Sequence, residues 1–224
     1  MYLNYMYKKL TSNLKRIKNC KKIGSISKLN GHKKELFFNN KYGNNSIKLT
    51  YKPEADCKIS KNNTILKELI HLNIIKNENQ NLTSNKSGKN IQIVLGKIKE
   101  LDVENKLELL ENKKKFSQLL NIYFKKCESE NPVNLLVYDT GKSHIFFNMD
   151  HVINYMVKFC IFRKLKSGRI KGDFIDNSYK GKRQYFTYEY RKSHKSHFIG
   201  FNGNKGKQFI YLIKDNLKYL EKNY

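Results

Sequence analysis

Tryptophan is absent from this 224-residue chain, and cysteine, proline and acidic residues are all scarce. The four cysteines, Cys20, Cys57, Cys127 and Cys160, stand far apart with no Cys-x-x-Cys pair. That spacing excludes a zinc ribbon and gives no sign of an obligatory disulfide framework. No apolar run approaches the roughly 20 residues of a membrane-spanning helix, so no membrane span is expected. Lys and Arg together number 45 against 19 Asp and Glu, a formal net charge of +26. A charge of that size repels itself unless something anionic surrounds the folded protein, so RNA, DNA or an anionic surface is implied. Part of the lysine and asparagine excess is discounted as the mark of an AT-rich genome.

The richest stretch runs from Asn177 to His197. Lys180, Lys182, Arg183, Arg191, Lys192 and Lys195 stand there against one acid, Glu189, with Tyr179, Tyr185, Tyr188 and Tyr190 between them. Lysine and arginine neutralise phosphates, and flat rings between them stack on unpaired bases. Gly181 lets backbone approach a partner that a side chain would hold away. The candidate RNA-binding set is therefore Lys166, Arg169, Lys171, Tyr179, Lys180, Gly181, Lys182, Arg183, Tyr185, Arg191, Lys192, His194, Lys195, Lys205 and Lys207. The competing reading of the same residues is a solvated basic hairpin.

Along the chain, residues 1–24 form a basic N-terminal segment. The first 34 residues hold ten cations and no acid, fitting either an organelle-targeting segment or a tail threading into RNA. Leu10, Leu14 and Ile17 allow a short helix within residues 5–22. Residues 25–78 read as a first α+β unit. A turn at Asn30-Gly31 precedes extended Glu35–Phe38, a strand follows at Ile47–Tyr51, and Ser60 caps a helix over Lys61–Lys76. Residues 79–90 read as a polar linker. The second unit, 91–197, opens with a strand at Ile91–Leu95, and residues 99–126 fit strand and helix equally. Strands at Leu135–Tyr138 and His144–Phe147 then lead into a helix over Asp150–Lys164; set against the family resemblance given below, Lys166–Asp176 is an extra loop. Residues 198–224 read as an extension with a short helix. The fold class expected is α+β: two tandem small units, each a mostly antiparallel sheet packed on one helix, with basic terminal extensions.

Tyr179-Lys180-Gly181-Lys182, with Glu189 and the Arg191-Lys192 pair after it, resembles the closing signature of the L-six proteins of the bacterial and organellar large ribosomal subunit. Arg183 stands where that family usually has a second glycine, and Tyr185 falls one place early. Ile91–Gly96 resembles the family's strand opening its second domain, and Ser143–Asp150 its last strand entering the final helix. The resemblance implies two similar α+β domains in tandem and a structural role in the large subunit of an organellar ribosome, most plausibly mitochondrial. The partners it implies are ribosomal RNA and neighbouring large-subunit proteins.

Two alternatives stand beside it. Leu10–Asn19 is similar to the opening helix of the small-subunit protein eight family, although that family's glycine-rich Ser-Thr loop is absent. Asp173, Asp176, Glu189 and Arg191 allow a DNA-acting, plasmid-type nuclease. His194 and His197, with His144 and His151, offer imidazoles without a carboxylate or thiolate in register, a poor zinc site. No phosphate loop, nucleophile–base pair or cofactor motif is present, so no catalytic residue, metal or cofactor is expected.

Overall fold

A computed structural model describes residues 30, 31, 33–43, 55–88, 91–96, 106–174, 184–191, 196–201 and 204–224. Among the described residues the chain is α+β, with two mostly antiparallel sheets of five strands each. Residues 33–42 form α1. There follow β1 (Cys57–Lys58), α2 (Thr64–His71), β2 (Leu82–Ser87), β3 (Ile91–Gly96), α3 (Lys106–Glu111) and α4 (Lys113–Tyr123). Next come β4 (Leu135–Asp139), β5 (Ser143–Asn148), α5 (Met149–Phe159), β6 (Cys160–Lys164) and β7 (Ile170–Phe174). The last elements are β8 (Gln184–Arg191), β9 (Ser196–Phe201), α6 (Lys205–Asn216) and β10 (Tyr219–Asn223).

The first sheet has the order β1-β2-β4-β5-β10, and the second β3-β9-β8-β7-β6. All described strand pairs are antiparallel except β2 with β4, where Thr83 to Ser87 run beside Leu135 to Asp139. The chain therefore alternates between sheets. After β2 it leaves for β3 at the edge of the second sheet, returns for β4 and β5, leaves again for β6 to β9, and comes back as β10.

Two cores result from the alternation of side chains along the strands. Leu136, Tyr138, Ile145 and Phe147 point one way from the first sheet into a core shared with α3 to α6. The second sheet contributes Ile91, Ile93, Phe162, Ile170, Phe174, Ile199 and Phe201 to the same core. Leu135, Val137 and Phe146 point the other way, into a smaller core covered by Phe38 and Tyr42 of α1 and by Ile65, Leu66 and Leu69 of α2.

Several expectations need correction. Glu35–Phe38 is helical rather than extended, because Phe38 and Tyr42, four apart, put both rings on one buried face with centroids 4.9 Å apart. The cap of α2 is Asn63, whose side chain accepts from the Ile65 amide at 3.0 Å, rather than Ser60. Asn112 and Asn148 cap α4 and α5 in the same way, so three asparagines discounted as genome bias hold helix starts. The segment expected as linker contains β2, which lies inside the first sheet. Its polar sequence Leu-Thr-Ser-Asn-Lys-Ser finds partners at several positions, as when Ser84 Oγ and the Asn85 backbone amide donate to Asp56, while Asn85 Oδ1 is buried without a hydrogen bond. Residues 99–126 settle as helix where described. The helix expected to reach Lys164 stops at Phe159, and Cys160–Lys164 turns into β6, with β7 where a loop was expected. The strand expected at Ile47–Tyr51 and the helix within 5–22 lie outside the described residues.

Residues 198–224 belong to the fold instead of extending it. Phe209 of α6 lies 4.5 Å from Phe201 and 5.3 Å from Phe174, measured between ring centroids. β10 pairs with β5 along its full length. Phe209→Ala is thus expected to cost about 3–5 kcal/mol, the usual range for a buried phenylalanine truncation. Lys218→Ala, at an exposed site, is expected to change stability by less than about 0.5 kcal/mol. Denaturant unfolding of the two variants checks this, and a Phe209→Ala protein as stable as wild type would remove α6 from the core.

Candidate nucleic-acid interface

The basic stretch folds around β8, which lies between β7 and β9 in the second sheet. The register is fixed by Ile170 opposite Tyr188, Phe174 opposite Gln184, and Arg191 opposite Ser196. Two ends of the sheet follow from this. At one end lie the β6–β7 turn and the point where β8 ends and β9 begins. At the other end, Phe174 and Gln184 flank residues 175–183, and Phe201 leads towards α6. Eight residues of β8 at roughly 3.3 Å each separate these ends by about 25 Å. The sheet therefore presents two well-separated ends.

The first end is built by the β6–β7 hairpin. Leu165 donates its amide to the Arg169 carbonyl at 2.7 Å, and the Gly168 amide donates back to the Leu165 carbonyl at 2.9 Å. Gly168 has φ of +78°, a left-handed conformation that a side chain disfavours. This turn carries exposed Lys166 and Arg169, with exposed Arg163 and Lys164 on β6 and half-buried Lys171 on β7. Asp173, itself buried, accepts through Oδ2 from Arg163 Nε at 2.8 Å. Beside the turn, Lys106, Gly168, Arg169, Thr187, Tyr188 and Glu189 line a cleft of about 600 Å³. Tyr188 is held there by a hydrogen bond between its hydroxyl and Nδ1 of buried His197.

The second end gathers helix starts. α6 begins with Lys205 and Lys207, has no acid in its first turn, and its cap residue Asn204 makes no side-chain capping bond. α4 begins with Lys113, Lys114 and Lys115, also without an acid in its first turn. Lys113 Nζ donates to the Cys160 carbonyl at 2.8 Å, which ties this helix start to the strand end opposite Phe174. Cations at the positive end of a helix dipole are unfavourable by a few tenths of a kcal/mol or more each, a penalty that a neighbouring phosphate reverses.

Of the residues singled out in the sequence, Lys166, Arg169 and Lys171 come together in the hairpin, and Lys205 and Lys207 sit at the far end. Tyr185 and Arg191 belong to β8, opposite Asp173 and Ser196. Tyr179, Lys180, Gly181, Lys182, Arg183, Lys192, His194 and Lys195 lie outside the described residues. Sequence reasoning missed Arg163, Lys164, Lys106 and Lys113–Lys115. The clue for the first two was the alternation of Cys160 and Phe162 with Ile161 and Arg163, a period of two running on directly from a helical stripe.

The nuclease constellation does not converge where it is described. Asp173 faces Tyr185, and Glu189 stands four residues further along β8, about 13 Å away along the strand. Metal-assisted phosphoryl chemistry wants its ligands around ions only about 4 Å apart. Asp176 lies outside the described residues. The histidines separate as well. His197 faces Tyr188 inside the second sheet, His151 is exposed at the start of α5, and His144 is buried against α1. Among the described residues no group of three His, Cys, Asp or Glu side chains could hold a metal. Cys57, Cys127 and Cys160 are free thiols, and burial pushes Cys57 up to about 12. No described helix is long and apolar enough to cross a membrane. No known family, curated protein or solved structure matches the chain.

His144 is a packing residue, ringed by Phe38 at 5.2 Å, Tyr42 at 5.4 Å and Tyr224 at 4.9 Å between centroids. Burial pushes its pKa down to about 4, with Lys41 and Lys34 acting in the same sense and Asp139 opposing. Because the folded value lies below the unfolded value of about 6.5, protons bind the unfolded chain first. The stability that neutral His144 contributes is therefore whole above about pH 6.5 and is lost as pH falls towards 4. His144→Phe is expected to flatten this slope between pH 6.5 and 5. Unfolding midpoints of both proteins across that window check it, and parallel slopes would contradict it.

Proposed function

We propose that this chain is an RNA-binding structural component of a ribonucleoprotein particle. The particle its C-terminal signature points to is the large subunit of an organellar ribosome, with the mitochondrion as the favoured compartment. The observation that carries RNA binding is the β6–β7 hairpin. Five cations, Arg163, Lys164, Lys166, Arg169 and Lys171, fall within nine residues of the hairpin that forms the edge of the second sheet, and Arg163 pairs with Asp173. Such a row of cations suits the spaced phosphates of an RNA backbone, which position a protein without reading sequence. The remaining charge, +26 overall, favours a partner that surrounds the protein on several sides, as RNA does in an assembled particle.

Binding of single-stranded RNA by the whole chain is expected to weaken steeply with salt, with about 0.7–0.9 in the logarithmic slope for each phosphate neutralised. Replacing Lys166, Arg169 and Lys171 together by Ala is expected to reduce that slope by about 2–3, following the same proportion. The unfolding transition should stay where it is, since these side chains reach solvent. An unchanged slope in the triple variant sinks the hairpin as the RNA contact, and salt-independent binding sinks the electrostatic reading altogether. Co-sedimentation of the tagged chain with organellar large subunits, set against small subunits, tests the assembly.

A further inference from the structure

We infer that Phe37 of α1 is the stacking platform for one unpaired base of the bound RNA. The inference rests on the RNA-binding reading above and adds a second contact, on the first sheet, away from the β6–β7 hairpin. α1 buries Phe38 and Tyr42 and turns its opposite stripe to solvent, leaving Leu36 61% and Phe37 45% exposed. Tyr224, itself 48% exposed, meets Phe37 nearly edge-on, with ring centroids 5.1 Å apart at 70°. The Tyr224 hydroxyl donates to Asp139, and its backbone amide donates to the Lys142 carbonyl at 3.1 Å. Lys41 Nζ lies over the Tyr224 ring, 5.2 Å from its centroid. The rings are therefore set before any partner arrives, which lowers the ordering cost of binding.

Charge and size choose the occupant. Lys33 and Lys41 stand one helical turn to either side of Phe37, on the same stripe. Exposed Lys142 adds a cation beside Tyr224. Lys41 donates to the Asn223 carbonyl at 3.1 Å and lies near the Tyr42 and Tyr224 rings, neutral partners that leave its charge uncancelled. The neighbouring carboxylates do not oppose an anion here. Asp139 takes Lys34 at 2.7 Å as well as Tyr224, and Glu35, two residues from Phe37, lies on the other side of the helix. Flat neutral rings among cations suit a base with a phosphate on each side. A protein partner would need more area. Three side chains about half exposed offer roughly 300 Å², taking roughly 150–250 Å² for a whole aromatic. Each partner of a stable protein interface buries roughly 800 Å². A second copy is disfavoured further, since each carries a charge of +26.

The chain lacks tryptophan, so Phe37→Trp places a single fluorescent reporter at the platform. Titrating the full Phe37→Trp chain with oligoadenylate at low salt is expected to quench its emission in step with binding, followed separately by the anisotropy of labelled RNA. An abasic oligomer of the same length carries the same phosphates and is expected to bind without quenching. Phe37→Leu keeps an apolar, helix-favouring side chain but removes the flat ring. It is expected to weaken oligoadenylate binding about tenfold, the order of one base–aromatic stack, without changing the salt slope. The unfolding midpoint of the variant confirms its fold. Oligoadenylate binding without quenching, quenching by the abasic oligomer, or full affinity in Phe37→Leu overturns the inference and leaves the RNA-binding reading standing. A wild-type dimer that Phe37→Leu dissociates also overturns it, because a second copy then covers the patch. Failure of oligoadenylate to bind wild type at low salt overturns both readings.

Discussion

The architecture depends on the burial of one apolar layer by both sheets at once. Neither sheet is self-sufficient along the sequence, because each borrows strands from the other's neighbourhood. β2 and β4 are brought side by side as a parallel pair across a segment that itself contains β3, α3 and α4. Parallel strands need such a crossover, since a tight turn cannot join them. Closing a loop of that length carries an entropic cost that grows slowly with length and is met only when the enclosed helices bury their faces. Leu110, Phe116, Leu119 and Leu120 do this in the shared core. The stack of Phe174, Phe201 and Phe209 fixes the other side, and with it the position of β8 and both basic ends.

That arrangement lets the protein carry a large positive charge without placing it in the core. The described ion pairs are few and peripheral, such as Lys214 with Glu221 and Lys222 with Glu68. Exposed pairs of this kind contribute at most about 1 kcal/mol each. They pin β10 to its surroundings more than they neutralise the chain. The buried exception is Asp173, whose carboxylate would be costly without Arg163. This pair also explains why an acid can stand within a basic hairpin. It holds β6 to β7 next to the turn, so it serves the geometry of the cations around it.

The helices with clean stripes were legible from sequence alone. Ile65, Leu66 and Leu69, and Ile153 with Met156, mark α2 and α5 unambiguously, and Leu135–Tyr138 with His144–Phe147 mark a hairpin. The boundaries were less so, because Cys160 and Ile161 continue a helical stripe and begin a strand alternation at the same place. The allocation of strands to sheets was not legible. A polar strand such as Leu82–Ser87 has no local signal; its identity comes from partners about 50 residues away. The basic residues of the interface were legible as a set, but their division was not. The run Gln184–Arg191 is legible as a strand of a hairpin, but its place between β7 and β9 has no local signal.

The separation of those ends has an electrostatic consequence. About 25 Å is roughly three Debye lengths at physiological ionic strength, where screening falls off over about 8 Å. Cations at the hairpin end therefore scarcely influence a phosphate at the helix-start end, and contributions from the two ends add as independent terms. Within the hairpin end the opposite holds. Arg169 lies both on the turn and in the cleft wall, and Lys171 pairs in register with Thr187 on β8. The turn and the cleft are thereby linked at one end only. In the RNA-binding reading proposed above, a strand would be held through its backbone at each end independently of the other.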